Sequence, residues 1–203
     1  MTSGSAEERA RLFVALELPV SARDILARWR AAALREIPVL RPVPLEHLHV
    51  TLCFLGSRPI HEIDAITAAC GVAAGEPAVS SRLGEALWLP VRRPRVLAVR
   101  LEDGSGALSR LQAALSGALA RGGWYTPESR PFLAHVTVAR VAKDTRIRAP
   151  GLEGPPAVAV RCSRVTLYRS RLGSGGARYE PLEVVKLASA PGGADPAGSR
   201  SAG

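Results

Sequence analysis

Two short segments of the chain repeat one pattern, a histidine followed two residues later by a threonine. Residues 49–52 read HVTL and residues 135–138 read HVTV, in a chain of 203 residues with four histidines. Displacement at phosphorus needs a base for the attacking oxygen, an acid for the leaving oxygen and donors for the phosphoryl oxygens. Two imidazoles in opposite protonation states supply the base and the acid, and hydroxyl groups supply the donors. The paired motifs therefore predict phosphodiester chemistry without a metal.

The spacing within each motif predicts that its two polar side chains lie on one face of a β-strand. Side chains at positions i and i+2 of a strand point the same way, so Thr51 accompanies His49 and Thr137 accompanies His135. The residues between them are aliphatic and favour burial of the opposite face. If the two strands are neighbours, both imidazoles face one groove. The alternative interpretation, ordinary strand residues with high β-propensity, is favoured for a single motif but not for the pair.

Two further residues lie close to the first motif, His47 before it and Cys53 after it. Strict alternation predicts that both share the face of His49, whereas Phe54 points toward the core. Two histidines and a thiol would allow a metal site, but no acidic or Cys partner occurs at a recognised zinc spacing. The sequence also lacks the Walker-type phosphate loop of ATP-dependent ligation. We therefore expect neither a metal nor another cofactor.

Strand and helix patterns follow one another in a similar order around both motifs, which predicts two duplicated lobes. We expect a flexible start at 1–9, one bilobal domain at 10–187, and a disordered tail at 188–203 that is rich in Ala, Gly, Ser and Pro. The predicted elements are strands at 11–18, 79–89 and 95–101, helices at 21–34, 59–74 and 107–121, motif strands ending at 55 and spanning 132–141, loops at 38–44 and 142–156, and a final hairpin of strands 165–171 and 179–187.

The composition is that of a globular chain with an excess of positive charge. Hydrophobic residues make up 47% and charged residues 22% of the sequence, and the net charge is +9. Such a charge suits a polyanionic partner, but all basic residues except Lys143 and Lys186 are Arg, which is also typical of a GC-rich genome. The Arg clusters could line an RNA groove or form solvated strand faces. They are Arg92, Arg93 and Arg95, and Arg161, Arg164, Arg169, Arg171 and Arg178.

Cysteine content and hydropathy indicate the compartment. The three Cys are odd in number and lack a CxxC pair, which argues against a disulfide framework and favours a reducing cytoplasm. No apolar run approaches the length of a membrane span, and no signal peptide is recognisable at the start of the sequence. We therefore expect a cytoplasmic monomer with no membrane partner.

The motifs and their flanking residues resemble the two-histidine (2H) phosphoesterase superfamily. The resemblance is strongest to its bacterial and archaeal RNA 2′,3′-cyclic phosphodiesterases, also called 2′-5′ RNA ligases, and it spans about residues 11–187. One departure is Ala134, where the family usually has Pro; this position shapes the backbone and carries no chemistry. The matching stretches are RLFVALELP at 11–19, LHVTLCFLG at 48–56, RPFLAHVTVAR at 130–140 and VTLYRSRL at 165–172.

The resemblance implies both a fold and an activity. The fold is α+β, with two pseudo-symmetric lobes, each an antiparallel sheet with helices outside, flanking a central cleft. The activity is hydrolysis of a terminal 2′,3′-cyclic phosphate of RNA to a 2′-phosphate. His49 would be the proton donor to the departing 3′-oxygen, and His135 the proton acceptor that activates water. Thr51 and Thr137 would steady the phosphoryl oxygens.

Three further residues are candidates for substrate contact. Arg130 and Arg140 flank the second motif and could bind phosphate or simply be exposed at the strand ends. Phe13 matches a family position that can stack on a base, although a core role is the commoner one for Phe. Two other functions stay open. One is RNA-end binding or 2′-5′ joining with incidental hydrolysis, and the other is hydrolysis of a small cyclic or 2′-5′-linked nucleotide.

Overall fold

Nine β-strands and three α-helices make up most of residues 7–173 and 176–189, the parts of the chain that the computed structural model describes. The helices are α1 (Val20–Glu36), α2 (Ile63–Cys70) and α3 (Ala107–Arg121). The strands are β1 (Arg9–Glu17), β2 (Leu40–Pro42), β3 (His49–Pro59), β4 (Val79–Leu89), β5 (Val96–Glu102), β6 (His135–Val141), β7 (Ala159–Cys162), β8 (Arg164–Gly173) and β9 (Gly176–Lys186).

All nine strands join one antiparallel sheet in the order β7-β4-β5-β6-β3-β1-β8-β9, with β2 beside β6. The two motif strands, β3 and β6, are neighbours at its centre. They pair only through Val50 and Val136, so the sheet divides there into two lobes, β3-β1-β8-β9 and β6-β5-β4-β7. Each lobe has its motif strand at the inner edge. The predicted α+β architecture of two lobes is therefore confirmed.

The aliphatic side of the two motif strands faces the core. Val50 and Val136 are fully buried in one continuous apolar cluster that also contains Leu26 of α1, Ile66 of α2 and Leu111 of α3. Burial of this side leaves the opposite side of β3 and β6 for the polar residues of the motifs. None of the helices in the described residues is long and apolar enough to cross a membrane.

Several elements differ from their predicted bounds. The helix predicted at 59–74 contains α2 only in its middle, between 3₁₀ turns at Ile60–Glu62 and Gly71–Gly75. Gly56 does not end β3, because without a Cβ it adopts a φ of +71° inside the strand, which continues to Pro59. Strands β2 and β7 lie in or directly after segments predicted as loops. Both strands are very short. The sequence of β2, which ends at Pro42, has no alternation of apolar and polar residues from which a strand could be predicted.

Two residues just outside the predicted domain limits pair with other parts of the chain. Arg9 belongs to β1 and pairs with Pro59, although the prediction placed it in the flexible start. Ala188 lies in the predicted disordered tail but forms a bridge with Pro77. Residues 1–6 and 190–203 lie outside the described residues. The flexible start and the disordered tail therefore stay predictions.

Candidate active site

A cleft of about 440 Å³ lies where the two lobes meet. His49 and Thr51 of β3 line it from one lobe, and His135 and Thr137 of β6 line it from the other. The two motif pairs reach one cleft because β3 and β6 are neighbours and because residues two apart share a strand face. The structure thus brings together the four residues that the motifs single out.

Both imidazoles are held by the same hydrogen bond to the backbone. The Nδ1 atom of His49 lies 2.7 Å from the carbonyl oxygen of His47, and the Nδ1 atom of His135 lies 2.8 Å from that of Leu133. A carbonyl only accepts, so Nδ1 donates in each ring and, in the neutral imidazole, Nε2 is the free base. Thr51 Oγ1 lies 3.1 Å from Nε2 of His49 and donates to it in this state. Each ring therefore presents Nε2 for proton transfer.

A β-bulge follows the threonine in both motif strands. In β3, Thr51 pairs with Ala15 and Cys53 with Val14, so Leu52 is the extra residue. In β6 the same shift makes Val138 the extra residue. A bulge reverses the alternation of the side chains that follow it. As a result the fifth residue after each motif histidine enters the cleft: Phe54 in one strand and Arg140 in the other.

The bulge in β3 corrects the sequence-based prediction for the residues after Thr51. Cys53 does not share the face of His49 but is buried in the core, and burial raises the pKa of its thiol to about 12. Phe54 does not point to the core but lies 47% exposed on the cleft side, with the Arg11 guanidinium 4.6 Å above its ring. The prediction for these two residues was wrong because it assumed an unbroken strand.

Aromatic rings surround His49. Its ring stacks on Phe13 with the centroids 5.0 Å apart and meets Tyr179 edge-on at 5.6 Å, with Tyr168 next to Phe13. Burial in this pocket lowers the pKa of His49 to about 4. The carbonyl of His47 raises it, whereas the nearby charges of His47, Arg140 and His135 lower it further. The free site therefore holds His49 as a neutral imidazole at neutral pH.

The other candidate contacts do not all reach the cleft. Phe13 and Arg140 line it. Arg130 instead lines a second cavity beyond His135. Two cleft residues were not predicted from the sequence. Arg11 lies two residues before Phe13 on β1, which was an available signal, and Tyr179 reaches the cleft through the pairing of β8 with β9.

The predicted Arg clusters lie away from the cleft lining. In the second cluster Arg164, Arg169 and Arg171 form ion pairs with Glu17, Glu8 and Glu180, at 3.1, 3.3 and 3.0 Å. In the first, Arg92 and Arg93 line a separate surface cavity of about 330 Å³. The positive charge in the cleft itself comes from Arg11 and Arg140. The second cluster is thus a strand face whose positive charge is partly neutralised by Glu side chains. The first cluster is a basic surface outside the cleft.

Metal ligands are scarce in the described parts of the chain. They contain no group of three or more His, Cys, Asp and Glu side chains that could hold a metal ion. His47 does line the cleft beside His49, but its ring lies against Tyr179 with the centroids 4.4 Å apart. A catalytic zinc site needs about three protein ligands, and this pair of histidines lacks the third.

Comparison with known families gives a match over most of the chain. Residues 18–173 match the profile of the 2′-5′ RNA ligase superfamily. The chain is 33% identical over 178 residues to the RNA 2′,3′-cyclic phosphodiesterase of Escherichia coli, covering 87% of this chain and 96% of the relative. It is 31% identical over 191 residues to the RNA 2′,3′-cyclic phosphodiesterase of Thermus thermophilus, covering 87% and 90%.

Solved structures show the same likeness in the backbone. The crystal structure of Escherichia coli LigT without ligand superimposes with a TM-score of 0.75 at 30% identity, covering 89% of this chain and 98% of that one. A Thermus thermophilus crystal structure superimposes with a TM-score of 0.75 at 28% identity, covering 87% and 97%. The fold of this chain is therefore one that it has in common with known structures.

Proposed function

We propose, since the chain belongs to the 2′-5′ RNA ligase superfamily, that it hydrolyses the 2′,3′-cyclic phosphate at the end of an RNA and leaves a 2′-phosphate. The observation that carries the proposal is the pair of imidazoles in one cleft, each fixed through Nδ1 and each with an unprotonated Nε2 in its neutral form. The names of the curated relatives support the RNA substrate, as does the positive charge of Arg11 and Arg140 in the cleft.

The reaction uses the two imidazoles on opposite sides of phosphorus. Water attacks while the bond from phosphorus to O3′ breaks, with the attacking and leaving oxygens roughly in line. His135 Nε2 accepts the proton from water, and His49 Nε2 donates a proton to O3′. The products are a 3′-hydroxyl and a 2′-phosphate monoester. A proton passed from His135 to solvent and a proton regained by His49 restore the starting state.

The donor role requires a protonated His49, although its pKa in the free site is lowered to about 4 by burial. A bound cyclic phosphate brings a negative charge next to this ring, which favours the protonated imidazole. Proton uptake is therefore coupled to substrate binding, and His49 becomes an acid only when the phosphate is in place. In the free site Thr51 donates to the neutral Nε2 instead.

The remaining cleft residues bind the substrate. Thr51 and Thr137 donate to the phosphoryl oxygens, where negative charge accumulates, and Arg140 contributes its charge from the bulged part of β6. Phe13 is 4% exposed and stacks on His49, so it shapes the aromatic wall while Tyr179 offers the accessible ring for a base. The reaction needs no metal, because the imidazoles supply both the acid and the base.

The same site supports an assignment of oligomeric state and compartment. One chain carries both motifs and forms the whole cleft, which supports a monomer as the active form. Its three thiols, Cys53, Cys70 and Cys162, are buried and unlinked, which suits the reducing cytoplasm.

The activity is tested with an RNA oligonucleotide that ends in a 2′,3′-cyclic phosphate, incubated with the protein in EDTA. We expect the cyclic end to open, and chromatography of the digested product to give nucleoside 2′-phosphate and no 3′-phosphate. The His135→Ala variant serves as the matched control for a contaminating nuclease.

Three results would contradict the proposal. A product with a 3′-phosphate would mean that the bond to O2′ breaks. Activity that is lost in EDTA and restored by a divalent metal would replace the metal-free mechanism. An unchanged cyclic end in the presence of folded protein would remove the assigned reaction altogether.

A further inference from the structure

A basic surface lies outside the catalytic cleft, where β6 ends. The turn between β4 and β5 carries Arg92 and Arg93, and the segment after β6 carries Arg146. These three exposed side chains line one cavity of about 330 Å³ and form what is here named the arginine surface. The segment after β6 lies against the turn because the amide of Val141 donates to the carbonyl oxygen of Arg95 at 2.9 Å.

Further positive charge connects the arginine surface to the cleft. Arg140 lines the cleft, and its direct partners across the sheet are Val96 of β5 and Arg41 of β2. Side chains directly opposite each other in an antiparallel sheet lie on the same face, so Arg41 extends the charge of Arg140 beyond the cleft lining. Along β6, the distance from Thr137 to Val141, where the next segment begins, is about 13 Å. A strand bound at the motif threonine therefore reaches the arginine surface within a short length.

The charge of the arginine surface is not balanced by carboxylates. Among the described residues, none of the ion pairs involves Arg92, Arg93 or Arg146. One acidic residue, Asp144, lies in the segment 141–148, together with three basic ones. Clustered Arg side chains without acidic partners create a positive potential that attracts a polyanion.

The other two sides of the cleft differ from this one in their charge pairing. Beside β1 and β8, Arg169 forms an ion pair with Glu8 at 3.3 Å. Beyond the second motif histidine, Arg130 lines a cavity that Glu128 also lines. Of the three sides, the end of β6 therefore has the most Arg side chains without a carboxylate partner in the described parts of the chain.

We infer that the arginine surface binds the phosphate backbone of the RNA strand that leads to the cyclic end. At an RNA end one strand leaves the cleft, and every nucleotide of that strand adds a negative charge. Guanidinium groups bind phosphate oxygens through paired hydrogen bonds. None of the described residues that line the cavity is aromatic, so the surface binds phosphates and does not stack on bases. The cleft acts on the end, and the arginine surface favours an end that belongs to a long strand.

This inference rests on the proposed function, and two substrates separate them. A nucleoside 2′,3′-cyclic monophosphate reaches only the cleft, whereas an RNA of about ten nucleotides with the same end also reaches the arginine surface. The test variant combines Arg92→Gln, Arg93→Gln and Arg146→Gln. We expect its KM for the RNA to rise about tenfold at low salt with kcat unchanged within about twofold, and its turnover of the mononucleotide to stay within about twofold of wild type.

Salt dependence shows whether the lost contacts are contacts with phosphate. Each phosphate contact with a single strand contributes about −0.7 to the slope of log affinity against log salt, so the test variant should lose about 2 from the slope for the RNA. Changing the same three residues to Lys keeps the charge and should preserve most of the affinity. The matched control removes three charges from β8 and β9 and should keep the wild-type slope; it combines Arg169→Gln, Arg171→Gln and Arg178→Gln.

The outcomes distinguish the two proposals. If the wild-type protein hydrolyses neither substrate, the proposed function is wrong. If it hydrolyses both with the same KM and the same salt slope, only the present inference is overturned. An equal loss of slope in the test variant and the control would also overturn it, because the net charge of the protein would then attract the RNA.

Base composition gives a further test. Two RNAs that share a terminal nucleotide but otherwise contain only U or only A should have KM values within about threefold of each other, because contacts with phosphate carry no sequence information. A larger difference that disappears in the test variant would show that the surface reads bases, and the assignment to the phosphate backbone would be wrong.

Discussion

The two motif strands have the same backbone and different surroundings. In β3 and β6 alike, a carbonyl two residues earlier holds the Nδ1 of the histidine, and a bulge after the threonine turns the fifth residue into the cleft. The neighbours differ. His49 lies in an aromatic pocket with Phe13 and Tyr179, whereas His135 borders a cavity with polar and charged walls.

This difference shows which part of the chain sets the chemistry of each imidazole. The motif fixes the position of the histidine side chain, and it does so in the same way in both strands. Residues outside the motif supply the electrostatic environment, because Phe13 and Tyr179 reach His49 from β1 and β9. The fifth residue differs as well, Phe54 in one strand and Arg140 in the other. Two motifs of the same pattern can therefore take the opposite roles that the proposed reaction assigns to them.

The largest effect is expected when either imidazole is removed. His49→Ala and His135→Ala should each lower turnover of the cyclic phosphate by about 10²-fold or more, because positioned acids and bases contribute at least that much. The double variant should be little worse than either single one, since the pair works as a unit. Circular dichroism checks the fold of each variant. Near-normal turnover in either folded single variant would break the assignment of paired roles.

The second prediction tests whether His49 gains its proton from substrate binding. The His135→Ala variant should bind a 2′,3′-cyclic nucleotide without cleaving it, and this ligand keeps one negative charge throughout the pH range. The pKa of free His49 is lowered to about 4, and the bound phosphate raises it. Below pH 4 the ring is already protonated, so affinity is highest there. Affinity should then fall as pH rises, by at most about tenfold per pH unit, until the pKa in the complex is passed.

Calorimetry measures this uptake directly. Titrations near pH 6 in two buffers with different ionisation enthalpies should show that binding takes up as much as one proton. The control is the double variant with His49→Ala and His135→Ala, which should bind without uptake. Binding to His135→Ala with no net proton uptake would mean that His49 stays neutral in the complex. It could not then be the proton donor, and the roles of the two imidazoles would have to be exchanged.

The third prediction uses the residues that the two bulges place in equivalent positions. Arg140 is exposed, so its attraction for the phosphate is screened by solvent. Its replacement in Arg140→Gln should raise KM by no more than about fivefold with little change in kcat. Added salt should weaken substrate binding by the wild-type protein more than by this variant. Phe54→Leu is the matched control, because it changes the equivalent position in β3 without changing charge. Equal salt dependence in Arg140→Gln and the wild type would show that Arg140 does not contact the phosphate.

Sequence alone was sufficient for the parts of the site that depend on two or three consecutive residues. Strand alternation correctly placed Thr51 beside His49 and Thr137 beside His135, and the helix from 107 to 121 has the predicted bounds. These features depend on local geometry and on a strong apolar period. The two-lobed fold followed from the order of elements and from the family resemblance.

The remaining features depend on partners that are distant in sequence. Phe54 enters the cleft because Leu52 is an extra residue opposite β1, and nothing within residues 49–54 reveals that bulge. In β6 the carbonyl of Val138 accepts from the buried guanidinium of Arg30 at 3.0 Å, a contact across 108 residues. Tyr179 reaches His49 only through the register of β8 and β9. Such contacts are set by the assembled sheet and leave no local pattern.

The smallest effect is expected from a change that makes the surroundings of His49 more like those of His135. Tyr179→Ala removes the ring that meets His49 edge-on at 5.6 Å and lets water approach the imidazole. Hydration favours the charged form, so the pKa of His49 should rise from about 4 toward its ordinary value, by less than about one unit because Phe13 still stacks on it. NMR titration of the imidazole protons in the free protein measures this shift, with Phe54→Leu as a control that changes the cleft on its other side. A pKa of His49 that stays the same or falls in Tyr179→Ala would show that the aromatic pocket does not set the charge of this ring.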